Sequence, residues 1–92
     1  MSKAVLQEAD MARHADIDNR ASGGERFLEL GILQASGRAG QIDRVAAHKW
    51  FNLAAMHGSA EAVELRLEIA REMSDAEIAA AQRAAREWLK AH

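Results

Sequence analysis

Residues 47–55 decide the fold, and they read Ala-His-Lys-Trp-Phe-Asn-Leu-Ala-Ala. Large and small apolar side chains recur here at three- and four-residue spacing, which is the period of one helix face. Trp50, Leu53, Ala54 and His57 lie along that face. The alanines allow a neighbouring backbone to come close, and the tryptophan fills the adjacent gap. The stretch therefore predicts a helix that packs against a neighbour.

The residues on either side of this helix predict where it begins and ends. Asp43 is a suitable N-cap, and Gly58 is a suitable C-terminal stop. Upstream, residues 27–35 predict another apolar helix with Phe27, Leu30, Gly31 and Gln34 on one face, where Gly31 permits close contact with a neighbouring helix. Residues 37–42 form a short glycine-containing turn between the two. Two helices with a tight turn form an αα-hairpin, which cannot bury its apolar faces alone.

The downstream sequence predicts two further helices. Ser59 caps the first of them, and its apolar stripe consists of Ala62, Leu65, Ile69 and Met73. Ser74 and Glu77 have the spacing of a capping box, which opens the last helix. The apolar stripe of that helix consists of Ile78, Ala81, Ala85 and Trp88.

The start of the chain is less regular. Ser2 can cap a first helix that runs to about His14, with a narrow apolar stripe. Residues 15–24 are polar and end in Ser-Gly-Gly, which predicts a linker. We therefore divide the chain into an N-terminal helix with its linker, residues 1–24, and a helical unit, residues 25–92.

Composition limits the classes of function. Of the 92 residues, 49% are hydrophobic and 28% are charged, which excludes a disordered chain. The net charge of −2 gives no electrostatic basis for binding nucleic acid. No stretch approaches the roughly 18 apolar residues of a membrane span, and the N-terminus reaches an acidic residue too soon for a signal peptide. We therefore expect a cytoplasmic protein that binds neither nucleic acid nor membranes.

The chain also contains an internal repeat, because residues 27–34 can be overlaid on residues 62–69. The repeat resembles the Sel-one-like repeat, a relative of the tetratricopeptide repeat. The matching positions are Leu30, Gly31, Gly37, Asp43, Ala47, Trp50, Ala54, Ala55, Gly58 and Ala62. Residues 73–88 are similar to the closing helix of bacterial members of that family.

The resemblance implies an all-α fold, a short right-handed α-solenoid of antiparallel helix hairpins. One repeat would be followed by a degenerate capping repeat. Family members act as protein–protein interaction scaffolds and adaptors. This chain departs from the family pattern at Phe27, Gln34, Ala39 and Gly40, so its loop can follow a different path.

No catalytic, cofactor or metal site is predicted. The four histidines are His14, His48, His57 and His92, and none of them forms an i,i+4 pair of the kind zinc sites use. Cysteine and tyrosine are absent, and the chain has no nucleophile elbow or phosphate-binding loop. We therefore expect a protein without enzymatic activity.

Apolar residues outside the predicted buried stripes indicate a binding surface. Stacked first helices of repeats line the concave face of a solenoid, and the candidate strip there consists of Leu28, Ile32, Val63 and Leu67. The charged residues beside the strip are Glu25, Arg26, Glu29, Glu64 and Glu68. The leading hypothesis is an adaptor that binds a protein or peptide segment, preferably basic, in this apolar groove.

Three alternatives to the open groove remain. The helix at residues 2–14 can fold back and cover the strip, or the strip can mediate self-association, since a short repeat array has unsealed ends. The domain would then be a structural, homo-oligomerising unit. A small regulatory subunit dedicated to one enzyme is the third possibility.

Overall fold

The computed structural model describes residues 21–38 and 40–92, which form four α-helices and contain no strand. The helices are α1 (Arg26–Ser36), α2 (Arg44–Met56), α3 (Ala60–Ala70) and α4 (Asp75–Ala91). This confirms the all-α class. The helix predicted for residues 2–14 and most of the predicted linker lie outside the described residues.

The predicted helix ends are confirmed by their hydrogen bonds. The Asp43 carboxylate accepts a hydrogen bond from the amide of Ala46 at 3.0 Å, which caps α2. Ser59 caps α3 in the same way, and Ser74 and Glu77 form both bonds of the capping box at the start of α4. Each cap satisfies amides that the first helical turn leaves without partners.

Glycines end the first two helices and turn the chain. Gly37 has φ of 77° directly after α1, and Gly58 has φ of 96° after α2. Side chains with a Cβ rarely adopt this left-handed conformation, so glycine favours the turn. The amide of Asp43 donates to the carbonyl of Gln34 at 3.0 Å, which closes the loop between α1 and α2.

Helix α2 is the centre of the described fold, because α1, α3 and α4 all pack against it. As a result, its buried residues surround much of the helix: Ala47, His48, Phe51, Leu53 and Ala54. Phe51, not Trp50, is the large aromatic ring of the core, and Trp50 is only half-buried. The predicted role of Trp50 as the side chain that fills the core is therefore wrong.

Close packing of α1 on α2 depends on Gly31. A Cβ added at Gly31 would overlap the Phe51 ring, which is itself buried. The missing side chain makes the space that the ring fills. The prediction that Gly31 permits close contact with a neighbouring helix is confirmed.

The buried face of α1 is rotated relative to the prediction. Its buried residues are Leu28 and Gly31, whereas Leu30 and Gln34 are only half-buried. Leu28 belongs to the core cluster, together with Phe51 and Ile69.

The apolar stripes of α3 and α4 lie as predicted. Ala62 and Ile69 of α3 are buried, and Ala81 and Ala85 of α4 are buried. The rings of Phe27, Trp50 and Trp88 form an aromatic cluster beside α2. Phe27 stacks on Trp50 with ring centroids 5.8 Å apart, and Trp88 meets both rings edge-on. The cluster ties α1, α2 and α4 together.

The glycines of the predicted linker are partly helical. Residues Ala21–Glu25 form a π-helical turn that leads directly into α1. A Cβ at Gly24 would lie 3.2 Å from the carbonyl oxygen of His57. Glycine thus allows this turn to approach the C-terminal end of α2. The prediction for these residues was an open loop.

Candidate functional site

Helix α3 has a groove on each of its two sides. The first lies between α1 and α3 and has a volume of about 380 Å³. Its apolar lining consists of Ile32, Ala35, Ile42, Phe51, Leu65 and Ile69. Phe51 comes from α2 and forms part of the base, because α1 and α3 both pack against α2 and leave space between themselves. We call this the apolar groove.

The rim of the apolar groove carries charge. Glu68 and Glu72 lie along its α3 side, and Arg44 lies at the start of α2. A nitrogen of Arg44 lies 3.7 Å from a carboxylate oxygen of Glu72, and both side chains are largely exposed. Exposed pairs of this kind contribute about 0–1 kcal/mol to stability, so Glu72 can exchange Arg44 for a charged group of a ligand at little cost.

The second groove lies between α3 and α4 and has a volume of about 370 Å³. It is lined by His48, Asn52, Arg66, Leu67, Ala70, Ile78 and Gln82. A guanidinium nitrogen of Arg66 donates to the side-chain oxygen of Asn52 at 2.6 Å, which joins α3 to α2. We call this the polar groove.

His48 is the one buried polar residue among those described, with 4% of its surface exposed. Burial lowers the pKa of its imidazole below the ordinary value of 6.5, and the nearby charge of Arg66 lowers it further. Its Nδ1 atom has no hydrogen-bond partner among the described residues. The ring therefore favours the neutral form near neutral pH.

The four apolar residues predicted to form one strip do not share one surface. Leu28 is only 4% exposed and lies in the core, because α1 is rotated toward it. Ile32 lines the apolar groove, whereas Leu67 is 57% exposed and lines the polar groove. Val63 is exposed on α3 and lines neither groove.

The acidic residues predicted beside the strip, Glu25 and Glu29, are both exposed at the start of α1. Neither residue lines the apolar groove, whose acidic groups come from the α3 side. Of the other two acidic residues predicted beside the strip, Glu64 also lies outside the groove, whereas Glu68 lines it. The rim therefore has the predicted sign of charge, and one of its two acidic residues was predicted.

Sequence reasoning found only part of the apolar groove, since Ile32 and Glu68 were predicted but most of its lining was not. Leu65 and Ile69 were assigned to a buried stripe, which is where they lie, but their outer edges also form the groove wall. The pairing of His48 with Asn52 one helical turn later was a usable signal for a polar surface. Arg66, on another helix, carries no sequence signal that it meets Asn52.

Comparison of the chain with protein-family models, curated proteins and solved structures found no match. The resemblance to the Sel-one-like repeat consequently stays a prediction from the residues. The arrangement of α1, α2, α3 and α4 is the evidence from which a function can be argued.

Membrane-spanning helices and metal-binding groups are both absent from the described residues. None of the four helices is both long and apolar enough to cross a membrane. Within residues 21–38 and 40–92, histidine and acidic side chains form no group of three that could hold a metal ion.

Proposed function

We propose that this protein is a non-enzymatic interaction module that binds a protein or peptide segment in the apolar groove. The observation that carries the proposal is the exposure of a wall of aliphatic side chains beside the core ring of Phe51. Burying apolar surface is worth about 25 cal/mol per Å², so a segment that fills the groove gains affinity from contact alone.

The rim specifies the chemistry of the bound segment. Glu68 and Glu72 place two carboxylates on one edge of an apolar surface. A complementary segment has apolar side chains that enter the groove and a lysine or arginine that reaches this edge. We therefore propose a basic, amphipathic segment of a partner protein as the occupant.

The proposed architecture is a short right-handed α-solenoid with one Sel-one-like repeat and a capping repeat. The support is that four helices follow one another through short connections and that α2 packs against the other three. In such an array the first helices of neighbouring pairs, here α1 and α3, would line the binding face.

The first experiment selects ligands from a displayed library of random peptides. We expect the selected peptides to be enriched in aliphatic residues and in lysine or arginine. Binding of the selected peptides is then measured for the wild type and for the E68K/E72K variant. Reversing both rim charges should weaken binding about tenfold or more, because each close charge pair becomes a repulsion.

The matched control is the E61K/E64K variant, which makes the same charge change on exposed residues of α3 that do not line the groove. It should bind like the wild type. Equal loss in both variants would show attraction to overall charge, and no loss in either would place the binding elsewhere. Either result would contradict the proposal.

Self-association is a second candidate function, favoured by the outward face of α3. Val63 is 37% exposed and Leu67 is 57% exposed, and they lie one turn apart on that face. Sedimentation velocity over a range of protein concentrations tests this candidate directly. A concentration-dependent dimer that the V63D variant abolishes would support it, and a monomer at every concentration would exclude it.

A further inference from the structure

The polar groove has features of a built ligand site and is separate from the apolar groove. His48 and Asn52 face it from α2, Arg66 from α3 and Gln82 from α4. Its volume of about 370 Å³ lies within the range of small-molecule sites, which runs from about 300 to 1,000 Å³. Three helices thus direct polar side chains into one small space.

The charge of the groove has one sign. Arg66 is the only lining residue with a full charge near neutral pH, and no acidic residue lines the groove. The 2.6 Å hydrogen bond to Asn52 fixes the guanidinium but uses only one of its five N–H groups. A fixed, half-buried guanidinium whose remaining donors lie beside a groove is suited to an anion.

The almost fully buried imidazole of His48 forms part of the wall of the polar groove. Only 4% of the residue surface is exposed, and its Nδ1 atom has no hydrogen-bond partner among the described residues. A buried polar atom without a partner costs about 1–3 kcal/mol.

The geometry favours a carboxylate over a phosphate. Arg66 lies in the middle of α3, and the groove has no second full cation. The planar fork of one guanidinium matches the two oxygens of a carboxylate. Leu67 and Ile78 add apolar surface beside the charge, which suits an attached carbon chain.

We propose that the polar groove binds the carboxylate of a small organic acid or of a peptide C-terminus. Arg66 pairs with the carboxylate oxygens, and Gln82 donates its amide N–H. Leu67 and Ile78 contact the carbon chain. This site does not depend on the apolar groove, so it stands or falls separately from the proposed function.

The test is a methyl NMR titration of the full chain. The probes are butyrate, its neutral analogue butyramide, inorganic phosphate, and one short peptide with either a free or an amidated C-terminus. Butyrate should shift the Ile78 and Leu67 methyl signals saturably with a Kd in the millimolar range, and butyramide should not. Tighter binding of the free-carboxyl peptide would identify a protein C-terminus as the source of the carboxylate, and binding of butyrate alone would identify a small acid.

Two variants assign the effect to Arg66. The R66Q variant should weaken butyrate binding about tenfold or more, because a charge-assisted pair is lost. The R71Q variant removes an exposed arginine that does not line the groove and should bind normally. If circular dichroism shows that R66Q does not fold, the R66K variant tests the role of Arg66 instead. This variant keeps the charge but loses the planar fork, so it should bind butyrate several-fold more weakly.

Three results would overturn the proposal. The first is no saturable shift with either butyrate or the free-carboxyl peptide. The second is phosphate binding as tightly as butyrate, which would make the site a general anion site. The third is wild-type affinity in a folded Arg66 variant.

Discussion

The two grooves beside α3 have nearly equal volumes and opposite chemistry. Both take part of their base from α2, where Phe51 faces the apolar groove and the next residue, Asn52, faces the polar groove. A single step along a helix turns a side chain by about 100°. One central helix can therefore serve two surfaces with different ligands, provided that each flanking helix contacts it along a different line.

The largest expected effect on stability distinguishes Phe51, at the base of the apolar groove, from Asn52, at the base of the polar groove. The F51A variant should lower the free energy of unfolding by about 3–5 kcal/mol, because it leaves a cavity in the core. The N52A variant should cost only about 1 kcal/mol, the value of the hydrogen bond to Arg66. Denaturant unfolding followed by circular dichroism measures both. A greater loss in N52A than in F51A would contradict the assignment of Phe51 to the core.

A smaller effect tests how the apolar groove is shaped. The G31A variant gains about 1 kcal/mol of helix propensity but places a methyl group in the Phe51 ring, at a cost of about 1–3 kcal/mol. We expect a net loss of about 1 kcal/mol in the free energy of unfolding.

The F51L substitution should relieve this overlap. In a double-mutant cycle, G31A should be less costly in the F51L background than in the wild type, with a coupling of about 1 kcal/mol. Additive costs, or a stabilising G31A substitution, would show that the two residues do not set the distance between α1 and α2.

The third prediction concerns pH and the polar groove. In the unfolded chain His48 takes up a proton near its ordinary pKa of 6.5, whereas burial and Arg66 lower that pKa in the folded chain. Below pH 6.5 the unfolded state therefore binds more protons, and the free energy of unfolding falls as the pH falls. Above pH 6.5 this contribution is fully present.

Unfolding measured from pH 7.5 downwards checks this dependence. The H48Q variant should show a shallower loss of stability below pH 6.5 than the wild type. In R66Q the His48 pKa should rise, as followed by NMR, because one lowering charge is gone. An H48Q profile identical to that of the wild type would mean that His48 does not couple folding to protons.

Local signals in the sequence were enough to place the helices. Asp43, Ser59 and Ser74 each cap a helix through their own side chains, and Gly37 and Gly58 take the left-handed conformation that ends one. These features depend on residues within one turn of each other. The predicted starts of α2, α3 and α4 and the predicted end of α2 were therefore right to within a few residues.

The orientation of α2 could not be read from the sequence. The periodicity of its apolar residues was interpreted as one buried face that includes Trp50, but α2 packs against three helices and is buried around much of its circumference. A single stripe is the signature of a helix with one buried side. The choice between Trp50 and Phe51 depended on Gly31, which is 20 positions from Phe51 in the sequence.

The candidate site was harder to predict for a related reason. The apolar groove is made by the edges of residues that also belong to the core, such as Leu65 and Ile69. A sequence pattern distinguishes buried from exposed residues. It does not identify a residue that packs in the core and also lines a groove with its outer edge. The pairing of Arg66 with Asn52 joins two helices and depends on how they cross, which periodicity alone does not give.

The most direct test of the central claim, that the two grooves bind different ligands, is methyl NMR with a selected basic peptide. Ile32, Leu65 and Ile69 line the apolar groove, whereas Leu67 and Ile78 line the polar groove. We predict that the peptide shifts the first three methyl signals and leaves the last two unchanged. Shifts confined to Leu67 and Ile78 would contradict the claim.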